Sequence, residues 1–116
     1  LEVKGDPVLF NRAVANLIEN GIHYNHPGGY VEISARKADN QVIIEIKDNG
    51  IGISESQQSH IFERFYRAEA GTANQNGKGL GLAITAHIIA LHYGRIEIKS
   101  ELGKGSIFQI YLKPAN

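Results

Sequence analysis

The chain has 116 residues, with 12 lysines and arginines against 12 aspartates and glutamates, 13 glycines and no cysteine. That length suits one domain around a single core, and the even charge gives no general attraction to nucleic acid or an anionic membrane. The lack of cysteine excludes disulfides and cysteine-bound zinc and fits a reducing compartment. The longest apolar stretch, Leu80 to Tyr93, is too short to span a bilayer and carries His87 and His92; no basic leader followed by an apolar core and a cleavage site is visible. Because the chain begins at Leu1 with residues that look strand-like, it is expected to be a piece of a longer protein.

Asp6-Pro7 predicts a helix start, aspartate capping free amides and proline taking the first turn, where its missing N–H costs nothing. Phe10, Val14, Leu17, Ile18 and Gly21 recur at helical spacing and carry this helix to about Tyr24, where His26-Pro27-Gly28-Gly29 stops it. Val31, Ile33 and Ala35 alternate with polar residues, as do Val42, Ile44 and Ile46 after an Asp39-Asn40 turn, which predicts a hairpin with one buried face. A short helix is expected from Ser54 to about Phe65, with Ser54 and Gln57 in capping-box spacing. Arg67 to Lys78 is small and polar, a loop of a length that is usually functional or disordered. A second long helix fits Leu80 to His92, apolar around most of its circumference and so expected to be deeply packed, with Gly94 ending it. Arg95 to Ser100 and Ser106 to Leu112 then form a closing hairpin around Leu102-Gly103-Lys104-Gly105.

Three segments carry chemistry. Asn16 and Asn20 lie four apart and share a helix face; an amide carbonyl is a hard oxygen ligand that suits magnesium still holding waters and phosphates, although asparagine on a helix is commonly no more than solvated polarity. Asp48-Asn49-Gly50 has the composition of a hairpin turn, yet Ile51-Gly52-Ile53-Ser54 does not continue as a returning strand. A carboxylate at a strand end accepts a hydrogen bond from the exocyclic amine of adenine, and Gly50 and Gly52 would let a purine lie against bare backbone; guanine presents a carbonyl there and would be rejected. Gly77, Gly79 and Gly81 precede a helix, whose free amides and dipole attract phosphate. Neither familiar phosphate motif fits. Gly71 to Gly77-Lys78 has one residue too many for a P-loop and Gly79 in place of its hydroxyl residue, while Ile84 stands where the dinucleotide fingerprint needs its last glycine.

Together with Ile61-Phe62-Glu63-Arg64-Phe65-Tyr66-Arg67, these segments resemble the N, G1, F and G2 boxes of the histidine-kinase ATP-binding domain: Asn16 to Tyr24, Asp48 to Gly52, Ile61 to Arg67 and Gly77 to Leu82. The resemblance runs from Asp6-Pro7 to about Leu112 and includes Gly103-Lys104-Gly105-Ser106, similar to that family's last glycine box. It implies the Bergerat fold, an α/β two-layer sandwich with a mixed sheet covered on one face by helices and a flexible ATP lid, filling residues 1–116 as one domain.

By position, the resemblance implies that Asn16 and Asn20 hold magnesium and phosphate and that Asp48 reads adenine. Arg64, Arg67 and Lys78 lie where basic side chains approach phosphates, and Phe62 and Phe65 look like the aromatic anchors of the lid. Tyr24, Gly50, Gly52, Ile53, Tyr66, Gly77, Gly79, Leu80, Gly81 and Leu82 complete the implied border of the nucleotide. His23 departs from the family, which often has lysine or arginine there; a neutral imidazole carries no charge near pH 7, so it is either a pH-dependent phosphate contact or a solvated side chain. His23 and His26 lack a third zinc ligand in the sequence.

The implied function is that of the catalytic domain of a two-component sensor histidine kinase. It would use ATP and Mg2+ to phosphorylate a histidine on a separate dimerisation and phosphoacceptor domain, with a response regulator downstream. None of the five histidines here lies in an acceptor context. The expected setting is cytoplasmic and monomeric, without nucleic acid or direct membrane contact. The alternatives are an ATP hydrolase of the same fold, which would carry a glutamate at the position of Asn16 to activate water, and a pseudokinase module that acts through partner contacts.

Overall fold

A computed structural model describes residues 3–63 and 81–114. Arg64, Phe65, Tyr66, Arg67, Gly77, Lys78, Gly79 and Leu80, and with them the expected lid, lie outside the described residues.

Helix α1 spans Pro7–His23, with Pro7 in its first turn. The Asp6 carboxylate accepts the Val8 and Leu9 amides at 2.9 and 3.2 Å, so two of the helix's orphan donors are satisfied by the residue whose side chain suits the task. Ala13, Leu17 and Gly21 form its buried stripe. Four strands follow: β1 (Val31–Ala38), β2 (Gln41–Asp48), β3 (Arg95–Glu101) and β4 (Gly105–Leu112), arranged β1-β2-β4-β3. Asp39 and Asn40 take φ of 50° and 61°, the paired left-handed conformation that matches a two-residue turn to the twist of its strands.

The two-layer sandwich is refined on one point: among the described residues all three strand junctions are antiparallel, where a mixed sheet was expected. Register aligns Ile33, Ile46, Phe108 and Ile98 across the sheet, and Ala35, Ile44, Ile110 and Ile96 beside them. These rows meet α1 and the second long helix, α3 (Gly81–Leu91), with Leu17, Ile46, Ile88, Ile89, Phe108 and Ile110 at the centre. The buried face expected of the first hairpin fades at the edge: Ile46 is 1 % exposed but Ile33 is 51 % exposed, because among the described residues β1 has a neighbour on one side only.

The other face of the sheet carries its own polar cover. Arg36 pairs with Glu45 at 3.3 Å, Gln109 donates to the same carboxylate at 2.6 Å, Tyr111 donates to Gln109 at 3.2 Å, and the Arg95 guanidinium lies 4.0 Å from the Tyr111 ring centroid. Gln109 is thereby buried on a face that no helix covers among the described residues. Its hydrogen bond, then the Arg36 charge, holds the Glu45 carboxyl below its ordinary value of 4.5 against the opposing effect of burial.

Two expected helices differ from their sequence reading. The short one, α2, covers only Glu55–Gln58, and the Ser54 side chain makes no capping bond; its hydroxyl instead lies 3.3 Å from that of Ser56. The chain then continues in short turns, His60 N–H to Gln57 and Glu63 N–H to His60. Helix α3 is packed on one side: Thr85, Ile88 and Ile89 are buried, while Leu91 is 54 % exposed, because among the described residues the helical layer has a sheet on one side only. Tyr93, not Gly94, takes the left-handed position after it at φ 59°, and the Gly94 N–H bonds back to Ile89 at 3.0 Å, with Tyr93 N–H to Ala90. Gly94 is needed for another reason: an added Cβ would stand 2.6 Å from the Tyr111 carbonyl oxygen.

Candidate functional site

The buried stripe of α1 delivers Gly21 to the end of β2, where an added Cβ would stand 3.0 Å from Val31 and 3.5 Å from the Asp48 Cβ. Asp48 and α1 therefore meet where the helix lacks a side chain. Asn20 is the preceding residue and Asn16 lies one turn back, both half-buried. The Asn16 amide donates to the Gly81 carbonyl at 3.3 Å, and Thr85, fully buried, donates its hydroxyl to the same oxygen at 2.9 Å. One flank of α1 thus joins the Asn16/Asn20 pair, the strand-end aspartate and the start of α3.

Asp48 is 6 % exposed. One carboxylate oxygen accepts the Gly50 amide at 2.9 Å. Burial raises its carboxyl above the ordinary 3.8, opposed by hydrogen bonds from the Gly50 and Ser106 amides. A carboxylate that spends only part of its acceptor capacity on backbone retains the capacity to read a donor on a ligand.

The glycines beside it have a structural duty that their pattern did not suggest. An added Cβ at Gly50 would overlap the Tyr24 carbonyl oxygen, and one at Gly52, which sits at φ +74°, would overlap the Glu101 carbonyl oxygen. Neighbouring backbone by itself requires their missing side chains. Tyr24 caps α1, and its carbonyl accepts the Ile51 N–H at 3.0 Å; its ring is edge-on to the exposed His23 at 5.8 Å. Ile53 packs against the core, as do Leu82 and Phe62, whose ring meets Phe108 edge-to-face at 6.2 Å. Gly81 opens α3 and is exposed, with open space where a Cβ would point.

Asn49 and Asn25 were not singled out in the sequence, yet they shape the site. The Asn49 side-chain oxygen accepts the Tyr30 N–H at 2.7 Å and the Asn25 amide at 3.2 Å, and the Asn25 amide also reaches the Tyr30 carbonyl at 3.1 Å. This clamp ties the α1–β1 connection to the loop after β2. Its signal was the amide between Asp48 and Gly50, which composition alone assigns to a turn.

Among the described residues no group of three or more His, Cys, Asp or Glu side chains gathers to hold a metal, so a divalent ion here would depend on amide oxygens and its ligand's phosphates. Asn16 and Asn20 fit that donor set. Asn16 spends its N–H on Gly81, which leaves its oxygen for a cation.

Residues 5–116 match the family described as histidine kinase-, DNA gyrase B- and HSP90-like ATPase. The chain is 47 % identical over 109 residues to the sensor histidine kinase RppB of Synechocystis, covering 93 % of this chain and 24 % of that protein. It is 43 % identical over 111 residues to the signal transduction histidine-protein kinase ArlS of Staphylococcus aureus, covering 95 % and 25 %. Its span is thus about a quarter of the length of these relatives. Among solved structures, the mycobacterial sensor histidine kinase MprB superposes with a TM-score of 0.88 at 30 % identity, over 97 % of this chain and 78 % of that one. Full-length ShkA in complex with AMPPNP superposes with 0.79 at 27 % identity, over 93 % and 22 %.

Proposed function

The chain belongs to the histidine kinase-, DNA gyrase B- and HSP90-like ATPase family, and from that premise we propose that it is the ATP-binding catalytic domain of a two-component sensor histidine kinase. It binds magnesium-ATP and passes the γ-phosphoryl group to a histidine on a separate dimerisation domain, with a response regulator as the next acceptor. The observation that carries this reading is the gathering of three separate sequence segments along one flank of α1: Asn16 on Gly81, and Gly21 against Asp48. Support for the kinase in particular comes from the relatives named sensor histidine kinases.

In this reading Asp48 accepts the adenine amine while the Gly50 and Ser106 amides hold its orientation. Asn16 and Asn20 present oxygens to magnesium, whose chemistry when bound is to offset charge on the phosphate oxygens. Arg64, Arg67 and Lys78 are proposed to approach the same phosphates. In-line transfer to an imidazole, its own nucleophile, asks the protein for placement and charge neutralisation more than for covalent help. A hydrolase is disfavoured by a specific contact: the Asn16 amide donates to the Gly81 carbonyl, which a water-activating glutamate at that position would repel.

Incubated with γ-labelled ATP, this chain is expected neither to label itself nor to release phosphate rapidly, and to label the parent protein's dimerisation domain when that is added. The transfer will be slow, since loss of tethering can cost roughly 7 kcal/mol or more of effective molarity. Rapid phosphate release abolished by Glu19→Gln would establish the hydrolase instead. Asn20→Ala is expected to weaken ATP binding chiefly when magnesium is present, because its amide acts through the ion. An equal loss in titrations with and without magnesium would make Asn20 a packing residue.

A further inference from the structure

The loop after β2 is stitched to the closing hairpin by several hydrogen bonds. Gly103 N–H donates to the Ile51 carbonyl at 2.8 Å, and Ile53 N–H donates to the Ser100 hydroxyl at 2.7 Å. That hydroxyl also reaches the Gly105 carbonyl at 2.9 Å and the Ser106 hydroxyl at 2.7 Å. Ser106 in turn supplies one of the amides bound by Asp48. The outer end of this chain is Gln58, whose amide donates both to the Ile53 carbonyl at 2.8 Å and to the Ser100 carbonyl at 3.0 Å. Ser56 of α2 also meets the loop, its hydroxyl lying 3.3 Å from that of Ser54, but among the described residues Gln58 is the one in α2 whose side chain bonds both the loop and β3.

Helix α2 has little else to fix it on this side. It is four residues long, buries none of them, and lacks a side-chain cap. A helix of one turn is not stable on its own hydrogen bonds, so its place is set by tertiary contacts. Among the described residues those include Gln58 and, beyond the helix, Ile61, which is 5 % exposed, and Phe62 against Phe108.

We propose that Gln58 is a positioning residue of the nucleotide site: its two hydrogen bonds set the loop that follows Asp48 against β3 and fix α2 to both. Its effect passes through Ile53 and Ser100 to the amides around Asp48, so it governs the adenine end and not the metal end. This rests on the nucleotide reading of the site.

The test replaces Gln58 with methionine, which keeps length and bulk but donates nothing, and with glutamate, which turns both donors into acceptors. Affinity for ADP is measured with and without magnesium, beside thermal melts and amide exchange at Ile51 and Ile53. Both variants are expected to bind ADP about tenfold more weakly, which is the loss of about 1.4 kcal/mol. That factor should be the same with and without magnesium, with faster exchange at both amides and melting within about 5 °C of the parent. Unchanged affinity and exchange in the methionine variant, beside a parent chain that binds ADP, would overturn the role of Gln58 alone. A parent chain that binds no ADP would overturn the nucleotide reading itself. Weakened binding in step with a collapse of melting temperature in both variants would assign Gln58 to general stability and overturn the positioning role.

Discussion

Asp48→Asn is expected to bind ATP about 30-fold more weakly, a loss of about 2 kcal/mol, and yet to melt at a higher temperature than the parent near pH 7. The two effects share one cause. Burial raises the Asp48 carboxyl above its ordinary 3.8, so the folded chain holds that proton more tightly than the unfolded chain does. The stability it contributes therefore falls as pH rises through the raised value, and at neutral pH the buried charge is a net cost. An asparagine oxygen can still accept the Gly50 amide without that cost, but its bond to the adenine amine loses its charge assistance. Titration with a fluorescent ATP analogue beside melts at several pH values checks both halves. The variant's advantage in melting should disappear below pH 3.8, where the parent carboxyl is protonated in both states. Equal affinity of the two proteins would remove Asp48 from the base-reading role.

Gly52→Ala is expected to destabilise the fold by roughly 3 kcal/mol, lowering the melting temperature by about 10 °C. Two costs add: a left-handed φ of +74°, worth about 1–2 kcal/mol for a residue with a Cβ, and overlap of that Cβ with the Glu101 carbonyl oxygen. Gly103→Ala separates them, since Gly103 has a similar φ of +82° but open space around the added atom. Its cost should be the backbone part alone. Equal melting of the two variants would mean that the loop after β2 does not press on the closing hairpin as the structure describes.

Local rules made α1 legible in the sequence, because its cap, its proline and its apolar spacing all belong to one short segment. The same holds for the Asp39-Asn40 turn, whose residues are those that tolerate a left-handed backbone. Local rules failed at α2: Ser54 and Gln57 have the spacing of a capping box, but the polar atoms that decide the segment are the Ile53 and Ser100 carbonyls, and they recruit Gln58 instead. The apolar circumference of α3 likewise gave no hint that Leu91 would stand in solvent, since the number of layers is not written in one helix. For the candidate site, residue types and order singled out Asn16, Asn20 and Asp48 as candidates, whereas the backbone that would crowd a side chain at Gly50 and Gly52 belongs to Tyr24 and Glu101, which only folding brings near. Asn25 escaped notice for the same reason: its partner Asn49 lies on another element.

Acid sensitivity is shared by two carboxylates three residues apart on β2 that project from opposite faces of the sheet, Glu45 in the polar cover and Asp48 beside α1. Glu45, held below 4.5 by Gln109 and Arg36, contributes stability that is present above that value and lost as pH falls through the lowered one. Asp48, on the opposite face, changes stability in the other direction over the neighbouring range. The two act in opposite directions, so Asp48 is expected to offset part of the stability lost when Glu45 is protonated. The Asp48→Asn variant removes one arm of that balance, and its stability should fall more steeply on acidification, exposing a dependence on the Arg36–Glu45–Gln109 bonds that the parent conceals.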